Sequence, residues 1–103
     1  MAKISDRFLR FDPVPGADGY RVYYQEGGSI DQQSSPSVDV GLLVEGISMH
    51  DILGDVEANF EIGVVPYDNA GNEGDLSIIV SDYPFDFVPP VGAVTGGEIY
   101  SLD

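Results

Sequence analysis

The chain of 103 residues contains no cysteine and no tryptophan, and only four of its residues are basic. Without cysteine, the sequence has neither a disulfide framework nor a thiolate metal site. No apolar run reaches the length of a membrane-spanning helix, so we expect no membrane insertion. These absences leave a fold held together by apolar packing and hydrogen bonds.

Positive charge is scarce and is confined to one end of the sequence. Eighteen acidic residues give a formal net charge of -14. The four basic residues are Lys3, Arg7, Arg10 and Arg21. Because phosphate groups are bound by clustered lysine and arginine, this balance excludes nucleic acids and anionic lipid surfaces as partners. Cations, cationic surfaces and neutral sugars remain compatible with it.

Hydrophobic residues make up 43% of the chain, which is enough for the core of one domain. In most segments they recur at every second position, and clusters of Gly, Pro, Asn and Asp separate these short runs. This pattern predicts an antiparallel all-β sandwich. The predicted strands cover residues 8–12, 20–25, 37–44, 48–53, 59–67 and 76–80, and residues 26–36 are predicted to be a mobile loop. Within the second strand, Tyr20, Val22 and Tyr24 share the core face, and Tyr23 points away from it.

Three segments in one order give the sequence a family likeness. They are residues 11–24, which contain Gly-Tyr-Arg-Val-Tyr-Tyr, residues 38–41, and residues 58–75, which contain Ala-Gly-Asn-Glu. Together they resemble the fibronectin type III domains of bacterial secreted and surface proteins. The resemblance implies an immunoglobulin-like sandwich of seven strands that acts as a spacer, adhesion or protein-interaction module beside other domains. It also implies an extracellular or cell-surface location, with any signal peptide outside these residues.

The sequence departs from that family pattern in three places. Phe11 stands where such domains usually carry a core tryptophan, and Phe60 stands where they usually carry the corner tyrosine. Only a few residues precede the first predicted strand, which leaves little chain for strand A. We therefore predict a sandwich over residues 1–88 whose strand A is missing or is supplied by the C-terminal tail.

The tail, residues 89–103, itself resembles the beginning of another such domain. It could add to a sheet edge by folding back or by joining a neighbouring copy in a strand-exchanged oligomer. The alternative is a plain interdomain linker. Other protein domains, or a neighbouring copy, are thus the expected partners.

The sequence offers little for catalysis. A nucleophile needs a base held by a third group, and the chain has one histidine, His50, and one lysine. We expect His50 to be an ordinary strand histidine and the protein not to be an enzyme.

Two groups of residues are candidates for ligand binding. The turn after the fifth predicted strand carries the oxygen donors Asp68, Asn69, Asn72, Glu73 and Asp75, a type of donor that calcium prefers. The same residues also suit a plain β-hairpin, which is the favoured interpretation, and no other cofactor is expected. Tyr23 and Tyr67 are expected to point away from the core, and as exposed aromatics they could stack on a sugar ring or anchor a protein partner.

Overall fold

The computed structural model describes residues 3–102, which form two antiparallel sheets packed face to face. The elements in chain order are β1 (Phe8–Leu9), β2 (Gly19–Glu26), β3 (Ser37–Gly41), β4 (Ile47–Ser48), α1 (Met49–Leu53), β5 (Glu57–Tyr67) and β6 (Ser77–Asp86). Strands β1 and β4 form the smaller sheet, and the larger sheet has the order β3-β2-β5-β6. The predicted all-β sandwich is confirmed.

The core lies between the two sheets, and every second residue of the strands contributes a side chain to it. Tyr20 and Val22 of β2 are buried in it, as predicted, and Tyr24 packs at its margin. The Phe11 ring, in the predicted tryptophan position, lies 5.0 Å from the Tyr20 ring in an edge-to-face contact. The Tyr20 hydroxyl accepts a hydrogen bond from the backbone N–H of Val14 at 2.7 Å, which fixes the turn that precedes β2.

The prediction of a strand over residues 48–53 is wrong, because most of this segment forms the short helix α1. The Ser48 hydroxyl caps the helix by accepting from the backbone N–H of Asp51 at 3.0 Å. Gly54 ends it with a positive φ of 77° and donates its N–H to the carbonyl of His50 at 2.8 Å.

Three further strands end at least three residues away from their predicted ends. Strand β1 stops at Leu9 rather than at residue 12, and β3 stops at Gly41 rather than at residue 44. Strand β6 continues through Pro84 to Asp86, so the prediction that this strand ends at residue 80 is wrong. Proline fits there because β6 is an edge strand, which does not need every N–H for the ladder.

Both ends of the sandwich lie at the same pole. The Asp6 carboxylate accepts from the backbone N–H of His50 at 3.0 Å, and the His50 ring lies 5.2 Å from the ring of Phe87. Phe87 in turn donates its N–H to the carbonyl of Val56 at 2.7 Å. The segments before β1 and after β6 therefore leave the domain side by side.

The tail beyond Pro90 makes no strand, and its side chains are exposed through residue 102. The molecule measures 68 × 25 × 24 Å, whereas the eleven residues of its longest strand span only about 36 Å. The tail therefore projects from the sandwich, and the expectation that it folds back to supply strand A is not met. No helix among the described residues is long and apolar enough to span a membrane.

Candidate functional site

The larger sheet has a second face, opposite the core, and this outer face is also covered. Tyr23 is only 5% exposed and Val65 is fully buried, although neither belongs to the core between the sheets. Tyr23 points away from the core as predicted, but the prediction that its ring is exposed is wrong. Two connections, residues 27–36 and 68–76, lie across this face and bury it.

Gly63 in the middle of β5 lets these connections approach the sheet. A Cβ atom at this position would lie 2.6 Å from Leu76 Cδ1 and 3.1 Å from Ile30 Cδ1. The missing side chain therefore provides the space in which Ile30 and Leu76 pack. A glycine inside an otherwise apolar strand often marks such a close approach, and this was the available sequence signal for the covered face.

The first connection was predicted to be a mobile loop, and the structure shows it fastened to the sheet. The backbone N–H of Ile30 donates to the Glu61 carboxylate of β5 at 2.9 Å. The side chain of Gln32 donates to the carbonyl of Gly74 at 3.1 Å, which joins the two connections. The loop is irregular as predicted, but it is hydrogen-bonded at both of these points.

A cluster of polar side chains holds the second connection against β2. We call it the outer-face cluster, and it consists of Arg21, Tyr23, Gln32, Asp39, Tyr67 and Glu73. At its centre the Tyr23 hydroxyl lies 2.8 Å from both carboxylate oxygens of Glu73. The side chain of Gln32 donates to the same carboxylate at 3.2 Å. The Glu73 side chain is therefore turned toward the sheet.

Arg21 supplies the positive charge of the cluster. Its Nε lies 3.1 Å from Glu73 Oε2, but the N–H does not point along that line, so the contact is a charge pair rather than a linear hydrogen bond. Its guanidinium carbon lies 4.8 Å from the centre of the Tyr67 ring, in a cation–π contact. Arg21 thus contacts both Glu73 and Tyr67, each of which was a candidate ligand residue.

Tyr67 is half-buried and is also engaged within the domain. Its hydroxyl donates to the Asp39 carboxylate of β3 at 2.8 Å. Its ring lies so close to Gly19 that a Cβ atom there would overlap it. Both candidate aromatics are therefore used to fasten parts of the sandwich to each other.

Hydrogen bonds and burial shift the pKa values of three members of the cluster, Asp39, Tyr67 and Tyr23. The backbone N–H of Gly41, followed by the Tyr67 hydroxyl, lowers the pKa of the Asp39 carboxyl. The hydrogen bond to Asp39 raises the pKa of Tyr67. Burial, and then the hydrogen bond to Glu73 and the charge of that carboxylate, raise the pKa of Tyr23. The cluster therefore favours neutral Tyr23 and Tyr67 and an ionised Asp39.

These shifts predict a loss of stability in alkali. A tyrosine whose folded pKa is raised stabilises the fold below its unfolded pKa of about 10, and this contribution is lost as the pH rises through the folded value. We expect the free energy of unfolding to fall above about pH 10, and to fall less steeply in Tyr67→Phe. Denaturant unfolding at a series of pH values, with Tyr100→Phe in the exposed tail as the control, measures this. Equal slopes in the two variants would contradict it.

The five candidate calcium ligands are not brought together. The Asp68 carboxylate accepts from the backbone N–H groups of Ala70 and Asn72 at 3.0 and 2.9 Å and from the Asn72 side chain at 3.0 Å. These hydrogen bonds lower the pKa of Asp68, and the bond from the Asn72 side chain has the largest effect on it. They close the turn, whose Gly71 has a φ of 88°.

The other candidates lie apart from that carboxylate. The backbone N–H of Asn69 donates to Asp18 at 2.8 Å, Glu73 faces the outer-face cluster, and Asp75 is exposed. Across residues 3–102, no three His, Cys, Asp or Glu side chains are placed to hold a metal ion together. The turn has the hydrogen bonds of the plain hairpin that the sequence favoured.

His50 lies at the pole of the sandwich where the residues before β1 and after β6 meet. Its Nε2 lies 2.7 Å from Asp55 Oδ1, and its ring packs against Phe87. Both contacts join α1 to neighbouring structure.

The chain was compared with protein-family models, with curated proteins and with solved structures. None of these comparisons gives a match. The function of the domain is therefore inferred from its own geometry and chemistry.

Proposed function

We propose that the chain is a non-catalytic module of the fibronectin type III kind that serves in protein interaction or adhesion. We place it in a larger secreted or surface protein of a bacterium. The strand order supports this kind of sandwich: β1 and β4 pair as strands B and E would, and β2, β5 and β6 are neighbours in the order of C, F and G. A first strand, A, is the one that the described residues lack.

The position of the two ends favours interaction over spacing, and this observation carries the proposal. A spacer separates its neighbours when the chain enters at one pole and leaves at the other. Here Asp6 and Phe87 both contact His50, so the described residues before β1 and after β6 lie at one pole. Such a domain stands out sideways from its parent chain and presents its far surfaces to a partner.

The outer-face cluster supports the same role. It ties residues 68–76 to the rigid four-stranded sheet through Glu73, and the Asp68 hydrogen bonds fix the shape of the turn. A loop held in one conformation loses little entropy when it binds a partner. The cluster therefore acts as a support for a recognition surface.

The second candidate function is binding of calcium or of carbohydrate, through the same turn or through Tyr67. A ligand that binds only the native state raises its stability, by about 2.7 kcal/mol at a hundredfold excess over Kd. We expect Ca²⁺ at millimolar concentration to leave the melting temperature unchanged, and we expect no binding on a glycan array. Thermal melts with and without Ca²⁺ measure the first expectation.

Two variants make the calcium test specific. Asp68→Asn removes a charge from the turn, and Asp51→Asn removes one from an exposed position on α1. A rise in melting temperature with Ca²⁺ that disappears in Asp68→Asn but persists in Asp51→Asn would replace the adhesion role with calcium binding. A glycan that binds the chain, and binds Tyr67→Phe less tightly, would replace it with carbohydrate binding.

A further inference from the structure

An apolar cleft lies between the free edge of β1 and the free edge of β6. Its lining includes Phe8 and Leu9 of β1, Ile62 at its floor, and Ile79 and Tyr83 of β6. Its volume is about 160 Å³, below the range of about 300–1,000 Å³ that is usual for small-molecule pockets. The cleft therefore suits a few aliphatic side chains of a peptide strand.

The backbone at the β1 side of the cleft is ready to pair. The N–H of Met49 donates to the carbonyl of Arg7, which makes Phe8 and Ser48 a non-hydrogen-bonded pair within the smaller sheet. The N–H and C=O of Phe8 consequently point to the open side of β1. Its ring is 66% exposed at the same edge.

The β6 side of the cleft offers a shorter free edge than the strand length suggests. Two residues, Ser81 and Asp82, lie opposite the single residue Glu61, and Asp82 has a positive φ of 50°. Such a bulge interrupts pairing and bends the strand. A second register shift, between Ile62 and Gly63, leaves Ile79 without a partner on β5, so regular pairing near the cleft is confined to Ser77 and Ile78. The Ile79 side chain lines the cleft.

The tail carries exposed apolar side chains of the kind that would fill this cleft. Val91, Val94 and Ile99 are almost completely exposed, and Tyr100 is 70% exposed. No contact of the sandwich covers them, although apolar side chains gain free energy when they leave water. The same chain thus carries an unfilled apolar cleft and an unburied apolar segment.

We propose that this cleft binds the C-terminal tail, residues 91–100, of a second copy of this chain. The tail of the same copy is poorly placed, because it projects from the sandwich and would have to reverse at Pro89 and Pro90 to reach the cleft. Residues that precede proline favour extended backbone, so this dipeptide continues the chain outward. A second copy related by a two-fold axis would meet the tail in that path.

A two-fold pair uses both tails and both clefts at once. Each tail then runs antiparallel to the β6 of the other copy, and the assembly is closed and cannot grow into a fibre. One local charge pair favours the contact, because Arg7 lines the cleft and the tail carries Glu98. It acts against the general repulsion between two chains of formal net charge -14.

This assignment rests on the proposed function as an interaction module, since it names a second copy as the partner. The two ideas fail separately. Calcium or glycan binding would replace the adhesion role without affecting the tail, and a chain that stays monomeric would overturn the tail assignment without affecting that role.

Light scattering coupled to size-exclusion chromatography of the full chain, over a range of concentrations, gives the first test. We expect the mass to rise from 11.0 kDa toward twice that value. Ile79→Asp should abolish the dimer, and Ile78→Asp should retain it. Both isoleucines are similarly exposed neighbours on β6, at 40% and 45%, but only Ile79 lines the cleft.

The tail is tested by the double variant Val91→Asp with Val94→Asp, which leaves the sandwich untouched. Its control, Ser101→Asp with Leu102→Asp, adds the same charge beyond the proposed strand. The first should be monomeric and the second dimeric. Circular dichroism of each variant checks that the sandwich remains folded.

Mixing provides the decisive measurement. The Ile79→Asp copy keeps its tail and the Val91→Asp, Val94→Asp copy keeps its cleft, so together they should form a one-to-one dimer that neither forms alone. A monomeric full chain, a dimer that survives the tail substitutions, or equal loss of the dimer in Ile78→Asp and Ile79→Asp would each overturn the proposal.

Discussion

Phe87→Ala is expected to lower the free energy of unfolding by about 3–5 kcal/mol, a large part of the roughly 5–15 kcal/mol that is typical of a domain. Phe87 is 1% exposed, and its ring centre lies 5.7 Å from that of Phe85 and 5.2 Å from that of His50. Removing the ring leaves a cavity that the surrounding sheets cannot close. Urea unfolding, with equal slopes for both proteins, measures the difference.

The next residue provides a matched control for this prediction. Val88 is 41% exposed, so Val88→Ala should change the free energy of unfolding by less than about 0.5 kcal/mol. The contrast between adjacent positions would place the end of the folded core at Phe87. A loss below about 1 kcal/mol for Phe87→Ala would show that the core ends earlier in the chain.

Glu73→Ala is expected to destabilise the domain by about 1–3 kcal/mol. The substitution leaves the buried hydroxyl of Tyr23 without its acceptor and removes the negative charge beside Arg21. The side chains of Arg21 and Glu73 are 34% and 23% exposed, so solvent weakens the charge part of this loss. Thermal and denaturant unfolding measure it, and faster hydrogen exchange over residues 68–76 should accompany it.

Asp75→Ala removes the same charge from the same connection at an exposed position, and it should have little effect. Glu73→Gln keeps an acceptor for Tyr23 and so isolates the contribution of the charge. A double-mutant cycle of Glu73→Ala with Tyr23→Phe should give a coupling energy of about 0.5–3 kcal/mol. Additive effects, or equal losses in Glu73→Ala and Asp75→Ala, would show that the cluster does not hold the connection.

The period of two was sufficient to predict the inner core, because burial on one face repeats at every second residue. It placed Tyr20 and Val22 in the core, and β5 was predicted nearly in full. The same period could not predict that Tyr23 is buried. Burial of the outer face depends on connections distant in the sequence, and only Gly63 signalled their approach.

The predictions for α1 and β6 were wrong because these elements depend on capping residues and on position in the sheet. Helix α1 has five residues, too few for an apolar period to tell helix from strand, and it depends on its capping residue Ser48 and on Gly54. Proline interrupts a central strand but is tolerated in an edge strand, so Pro84 by itself does not tell whether β6 ends or continues. Whether β6 is an edge strand depends on the order of strands in the sheet, which the spacing of apolar residues does not reveal.

The shared pole of the two ends also determines where this domain can be placed in another protein. A domain whose ends lie side by side can be inserted into a surface loop without pulling the host loop apart. Asp6 and Phe87 each contact His50, so the host would have to close only a narrow gap. The cost of closing a loop grows slowly with its length, so flexible connections of several residues on each side would add little to the cost of folding the host.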